Sequence, residues 1–121
     1  MTENKRTLVI GASENPERYS NIAIHMLREY KQAVIAVGQK TGKVADVAIE
    51  KEMPKSGIHT VTLYVSAKNQ NDFIAPILAL KPERVIFNPG TENSEFQAEL
   101  RAQGIEPIEA CTLVMLRTGQ Y

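Results

Sequence analysis

The chain has 121 residues, 14 Lys plus Arg against 14 Asp plus Glu, 43% hydrophobic residues and a single cysteine. A chain of this length buries roughly two thirds of its unfolded surface, so a core forms without metal or disulfide staples, and a disulfide scaffold is excluded. With zero formal net charge no global field favours phosphate backbones, which argues against nucleic acid as a partner. Apolar runs such as Leu113 to Leu116 fall far short of the ~20 residues a membrane span needs, and the start MTENKR has no apolar h-region. A cytoplasmic protein that binds neither nucleic acid nor membrane is expected.

From Thr7 the sequence reads TLVIG, a short apolar and β-branched run closed by glycine, as in a strand buried on both faces. After the loop ASENPERY, Ile22, Ala23, Met26, Leu27 and Tyr30 recur at helical spacing, so a helix ending near Lys31 is expected, capped by Ser20 or Asn21. AVIAVG from Ala33, TVTLYVS from Thr60 and RVIFNPG from Arg84 repeat the strand pattern, each followed by turn residues. Between Gln39 and His59 the pattern is weak and predicts a loop with at most one short strand, around Val47 to Ile49. Ala67 to Leu80 is helical in pattern, with Pro76 either kinking the helix or marking the first turn of its main part. A further helix is expected from about Glu92 to Gln103, pairing Phe96 with Leu100 and stopping at Gly104. EPIEA then supplies a last strand, and CTLVMLRTG is either a closing helix or an extended segment.

Strands alternating with single helices imply parallel pairing with crossovers, hence a doubly wound α/β sheet of five or six strands, read as one domain over residues 1–121. Ligands of such sheets bind beyond the carboxyl ends of the strands, where strand order reverses. The first strand ends in GASENPERYS, a small-residue turn running into a helix whose unpaired amides favour an anion. It keeps only the first glycine of a GxGxxG pattern. After the second strand Val37-Gly38-Gln39-Lys40 carries no acid for ribose hydroxyls, whereas Lys40 and Lys43 suit a ligand with an extra phosphate.

GASENPERYS after the first strand, within an α/β course of this length, resembles the small Rossmann-like CoA-binding proteins. Phe87-Asn88-Pro89-Gly90 matches that family's glycine-bearing loop, and Cys111 matches the cysteine that follows its last strand. The family's usual proline and asparagine after the second strand are replaced here by Gly38 and Gln39. The resemblance implies coenzyme A or an acyl-CoA as ligand. It implies pyrophosphate contacts from the amides of Gly11, Ala12 and Ser13 and from the Ser13 hydroxyl, with Arg18, Tyr19 and Ser20 closing over the phosphates. Gly38, Gln39 and Lys40 would border the nucleotide. Val65 and Ser66 would line the adenine or pantetheine side, and Asn88, Pro89 and Gly90 the opposite wall.

No catalytic or metal-binding set is legible. His25 flanks the apolar face of the first helix, His59 precedes a strand, and Glu92, Glu95 and Glu99 fit the solvated first turns of a helix. Cys111 is either an inert structural thiol or a reactive one. The expected function is therefore non-catalytic binding of CoA or acyl-CoA, as sensor or carrier. The alternatives are an NAD(P)-binding or CoA-transferring enzyme subunit completed by a partner chain, and an interaction protein with a vestigial groove. A homodimer or an unidentified protein partner is compatible with all three.

Overall fold

The computed structural model describes residues 4–121; Met1, Thr2 and Glu3, the start of MTENKR, lie outside the described residues. Seven strands form one sheet in the order β3-β4-β2-β1-β5-β6-β7. These are β1 (Thr7–Ile10), β2 (Val34–Val37), β3 (Gly42–Val44), β4 (Val47–Glu50), β5 (Thr60–Leu63), β6 (Arg84–Phe87) and β7 (Glu106–Glu109). Every pairing is parallel except that of β3 with β4. The helices are α1 (Tyr19–Glu29), α2 (Asn71–Leu80), α3 (Ser94–Ala102) and α4 (Thr112–Arg117), with a 3-10 turn at Ala67–Asn69. The sheet is thus the doubly wound α/β arrangement expected, with one strand more than the upper count.

Continuous apolar runs in β1, β5 and β6 leave every residue of those strands buried, because both faces are covered. On one face Leu8, Ile10, Val61, Leu63, Val85 and Phe87 meet Ile77 of α2 and Phe96 and Leu100 of α3. Phe96 packs its ring edge-on to Phe87, with centroids 5.6 Å apart and planes at 78°. On the other face Val9, Ala36 and Ile86 meet Ile24 and Leu27 of α1 and Met115 and Leu116 of α4.

Local chemistry sets the boundaries. Asn93 caps α3 by accepting the Phe96 amide at 3.2 Å. At its other end Gly104 takes φ +76°, so that the Ile105 amide reaches Leu100 O at 2.9 Å and the Gly104 amide reaches Arg101 O at 3.1 Å. Ser20 and Asn21 do not cap α1. Both lie inside it and are buried, the cap position belongs to Arg18, and the Asn21 amide group donates instead to Ser13 O at 2.9 Å. Pro76 sits in the interior of α2, where its missing N–H frees the carbonyl of Asp72, an exposed residue that water can serve. The helical pattern from Ala67 divides into the 3-10 turn and α2, and CTLVMLRTG closes the chain as α4.

The stretch read as a loop with one strand is a hairpin. β4 extends the sheet parallel to β2, pairing Val37 with Glu50, and β3 returns antiparallel through a turn in which Ala45 takes φ +55°. Only Val44 of β3 is buried, too little alternation for three residues to announce a strand. Arg28 of α1 donates to both carboxylate oxygens of Asp46 at 2.9 and 2.8 Å, tying that turn to the helix.

Two tyrosines have hydroxyls withdrawn from solvent. Tyr121 is buried beneath the Arg84 guanidinium, 4.5 Å from the ring centroid, with its hydroxyl bonded to Thr7 Oγ1. Burial pushes its hydroxyl pKa up, opposed by the Thr7 bond and by Arg84. Burial raises the Tyr64 hydroxyl from 10.0 to about 12, only partly opposed by the nearby Thr112 and Thr62 hydroxyls. In both cases the fold favours the neutral phenol. The stability they contribute is complete below the unfolded pKa near 10.0 and is lost as pH climbs towards about 12, because the unfolded chain ionises first. Urea midpoints are therefore expected to fall above pH 10.0 and to fall less steeply in Tyr64→Phe. An equally steep fall in that variant would remove Tyr64 from the explanation.

Candidate functional site

Because the strands are parallel and in register, Glu50, Val37, Ile10, Leu63, Phe87 and Glu109 end in one row. The segments following them therefore gather along one edge. The chain leaves β1 for α1 and β2 on one side and later returns to β5 on the other, so strand order reverses between β1 and β5. The β1–α1 loop leads to the face covered by α1 and residues 64–70 to the face covered by α2, the point at which doubly wound sheets hold ligands.

Backbone contacts define the loop after β1. The amides of Gly11 and Ala12 both donate to Val37 O at 2.9 Å. Gly11 takes φ +94°, and a Cβ there would lie 3.0 Å from Tyr64 O. A Cβ on Gly38 would lie only 2.3 Å from Ala12 O. The β1, β2 and β5 ends thus meet backbone to backbone, a packing that only glycine permits at these points. Beyond them the loop is held by its own polar groups. Ser13 Oγ accepts the Asn15 amide at 3.1 Å, Asn15 Oδ1 accepts the Glu17 amide at 3.0 Å, and Asn15 O accepts the Arg18 amide at 3.1 Å.

The amides expected to bind pyrophosphate are therefore not all free. The Gly11 and Ala12 amides are committed to Val37 and serve the approach of the strands. The amides left without an acceptor among the described residues are those of Ser13, Glu14, Tyr19 and Ser20. They belong to the loop and the first turn of α1, where the helix dipole adds positive potential. Arg18 and Tyr19 are exposed beside them, Tyr19 at 70%, whereas the Ser20 side chain is buried. Arg18 makes no ion pair among the described residues. Four unspent donors, a hydroxyl and a guanidinium within eight residues suit the oxygens of a pyrophosphate.

Of the remaining expected residues, Gln39 and Lys40 are exposed beside Gly38, and Val65 and Ser66 are half-buried after β5, with Ser66 Oγ accepting from Asn69 Nδ2 at 3.1 Å. Asn88 does not present its side chain as a groove wall. It is 3% exposed; its Nδ2 donates to Thr62 Oγ1 at 2.7 Å and Leu63 O at 2.8 Å, and its Oδ1 accepts the Thr112 amide at 2.9 Å. Its role is to lock β5, β6 and the start of α4 together. Only Pro89 and Gly90 of that trio are exposed. Gln70, not singled out from the sequence, makes a second clasp: its Nε2 donates to Val65 O at 3.0 Å and Thr91 O at 2.7 Å, and its Oε1 accepts from Asn93 Nδ2 at 2.9 Å. His25 is exposed on α1, and His59 lies at the opposite edge with Nδ1 2.7 Å from Thr60 Oγ1. Cys111 is half-buried on the carboxyl edge, just before α4.

The lysines after β2 do not stand alone. Glu14 reaches across from the β1–α1 loop, its carboxylate accepting the Lys43 amide at 3.0 Å over Gly42. Glu50 ends the neighbouring strand level with Val37. The acids missing from the second strand in the sequence therefore arrive from other segments. The alternation of Val47, Ala48, Ile49 and Glu50 was the one sequence signal that placed an acid near this edge.

The parallel sheet and the helices covering both of its faces define a Rossmann-like α/β protein. More narrowly, residues 5–117 match the CoA binding domain family model, and the chain belongs to that family. No curated protein matches the chain. Among solved structures, the crystal structure of an uncharacterised protein shares 45% identity with a TM-score of 0.96, covering 99% of this chain and 100% of that one. A Thermus thermophilus protein superposes with a TM-score of 0.84 at 20% identity, over 98% of this chain and 91% of that one. A hypothetical protein from Pyrococcus horikoshii OT3 gives 0.83 at 23% identity, over 95% and 83%. The last two likenesses concern the fold alone.

Two substitutions test this construction by urea denaturation. Gly38→Ala forces a methyl against the Ala12 carbonyl and is expected to cost about 1–3 kcal/mol. Asn88→Ala leaves the Thr112 amide without its acceptor and takes a donor from Thr62 Oγ1 and Leu63 O, and is expected to cost about 2–4 kcal/mol. Wild-type stability in either would refute the packing or network role assigned to that residue.

Proposed function

We propose that the protein binds coenzyme A or an acyl-CoA, without transforming it, in the groove along the carboxyl ends of the parallel strands. The observation that carries this reading is the set of unspent amides at Ser13, Glu14, Tyr19 and Ser20, placed at the switch point beside an unpaired Arg18. The amides would hold pyrophosphate oxygens, and the Ser13 hydroxyl, which accepts from Asn15, keeps its own proton to donate. Arg18 would neutralise the remaining charge from the solvent side. Membership of the CoA-binding domain family supports the choice of ligand. In this reading the protein is a sensor or carrier of the ligand. The bound molecule supplies a thiol or thioester, and this chain's residues bind and orient it.

Isothermal titration of the purified protein with CoA decides the reading. Saturable binding is expected, together with weakening of about tenfold or more in Ser13→Asp, which keeps an acceptor for the Asn15 amide but sets a negative charge where the pyrophosphate belongs. Unchanged affinity in that variant removes the anion-cradle assignment, and absence of binding by the wild type removes CoA as the ligand.

A further inference from the structure

Three large apolar side chains are left exposed among the described residues, Tyr19 at 70%, Val114 at 52% and Tyr30 at 38%, and all three belong to one helix layer, that of α1 and α4. On α1 they are part of a pattern. Tyr19, Ile22, Met26 and Tyr30 follow one another at steps of three, four and four residues, which sets them in one row along the helix. Ala23, Ile24 and Leu27 fill the inner side, so the row points outward, with Ile22 and Met26 half-buried and both tyrosines open. α4 packs against α1 through Met115 and Leu116, on the flank away from the β3–β4 hairpin, and turns Val114 to solvent. Single exposed apolar residues are ordinary on a surface, whereas a row continued on the neighbouring helix is the mark of a covered one.

Charges on the other flank say what covers it. Arg18 at the start of α1 and Glu29 at its end are both exposed, and neither has an ion-pair partner among the described residues. They stand eleven residues apart, about three turns, and so share one side of the row. Their order is the reverse of what an isolated helix favours, since the cation lies at the positive end of the dipole and the anion at the negative end. Arg28, the cation of the last turn, is engaged by Asp46 and does not offset Glu29. A second α1 laid antiparallel corrects both ends. It sets Glu29 of each copy against Arg18 of the other, and within one residue of the same register it sets Ile22 against Met26. A parallel copy would instead oppose Arg18 to Arg18 and Glu29 to Glu29.

We propose that a second copy of this chain docks on this face, the two α1 helices antiparallel about a two-fold axis that passes between Ile22 and Met26, with Val114 adding to the apolar seam from α4. The assembly is isologous: each row covers the other, and two Arg18–Glu29 pairs fix the register. The inference goes beyond the ligand reading and shares only Arg18 and Tyr19 with it. The five N–H donors of a guanidinium can serve a carboxylate and a phosphate oxygen at once.

Sedimentation equilibrium of the purified protein without nucleotide, over about 5 to 200 µM, tests this. A mass rising from 13.4 kDa towards twice that value is expected for wild type, and Met26→Glu/Val114→Glu is expected to stay at the lower mass throughout. Glu29→Arg, at an exposed position, is expected to weaken association about tenfold, and Arg18→Glu/Glu29→Arg to restore it, because the two charges exchange places across the axis. A wild type that stays monomeric at the highest concentration overturns the proposal, as does undiminished dimerisation of Met26→Glu/Val114→Glu with a native circular dichroism spectrum. Dimers indifferent to Glu29→Arg, or not restored by the exchange, overturn the antiparallel register. Should the apolar double variant not fold, the wild-type mass and the charge exchange decide alone. CoA enters none of these outcomes, so the ligand reading stands or falls separately.

Discussion

The carbonyl of Val37 accepts hydrogen bonds from two amides, those of Gly11 and Ala12, and the course of the chain out of β1 depends on that pair. It bends the chain out of β1 immediately after Ile10 and brings Ala12 over Gly38, so that the next free amides fall at Ser13 and Glu14. A side chain at Gly38 would lift this contact. The anion loop is therefore built from the second strand as much as from the first. Its donors are available because their neighbours have been spent on holding the strand ends together.

The same economy governs the other side of the switch point. Asn88 and Gln70 satisfy their amide groups entirely within the edge, joining β5, β6, the 64–70 segment and the starts of α3 and α4. Buried polar networks of this kind fix geometry when every member is satisfied. The flank beyond β5 is thereby fixed by satisfied side-chain amides.

The sheet and most helices were legible in the sequence because continuous apolar runs at TLVI, TVTL and RVIF have no other stable destination than a covered sheet. The hairpin of β3 and β4 was less so, since three residues with one buried side chain carry almost no periodicity. Glycine positions disclosed where backbones approach, but not which amides would remain free. That depends on the Val37 carbonyl, which has no signature of its own. Asn88 shows the complementary failure: a polar residue at a strand end reads as a site residue, and only its burial and three partners reveal a structural clasp. Glu14 was invisible for a related reason, as it reaches this edge from a loop far from Lys43 in the chain, and Glu50 was signalled only by the alternation of its strand.

The two outer strands carry a further consequence. β3 has three residues, one of them Lys43, and β7 pairs with β6 through Glu106, Pro107, Ile108 and Glu109. A short charged strand and one carrying a proline between acids are poor templates for another chain, because proline offers no N–H and the carboxylates repel like edges. The sheet is blunted at both ends against lengthening by strand addition.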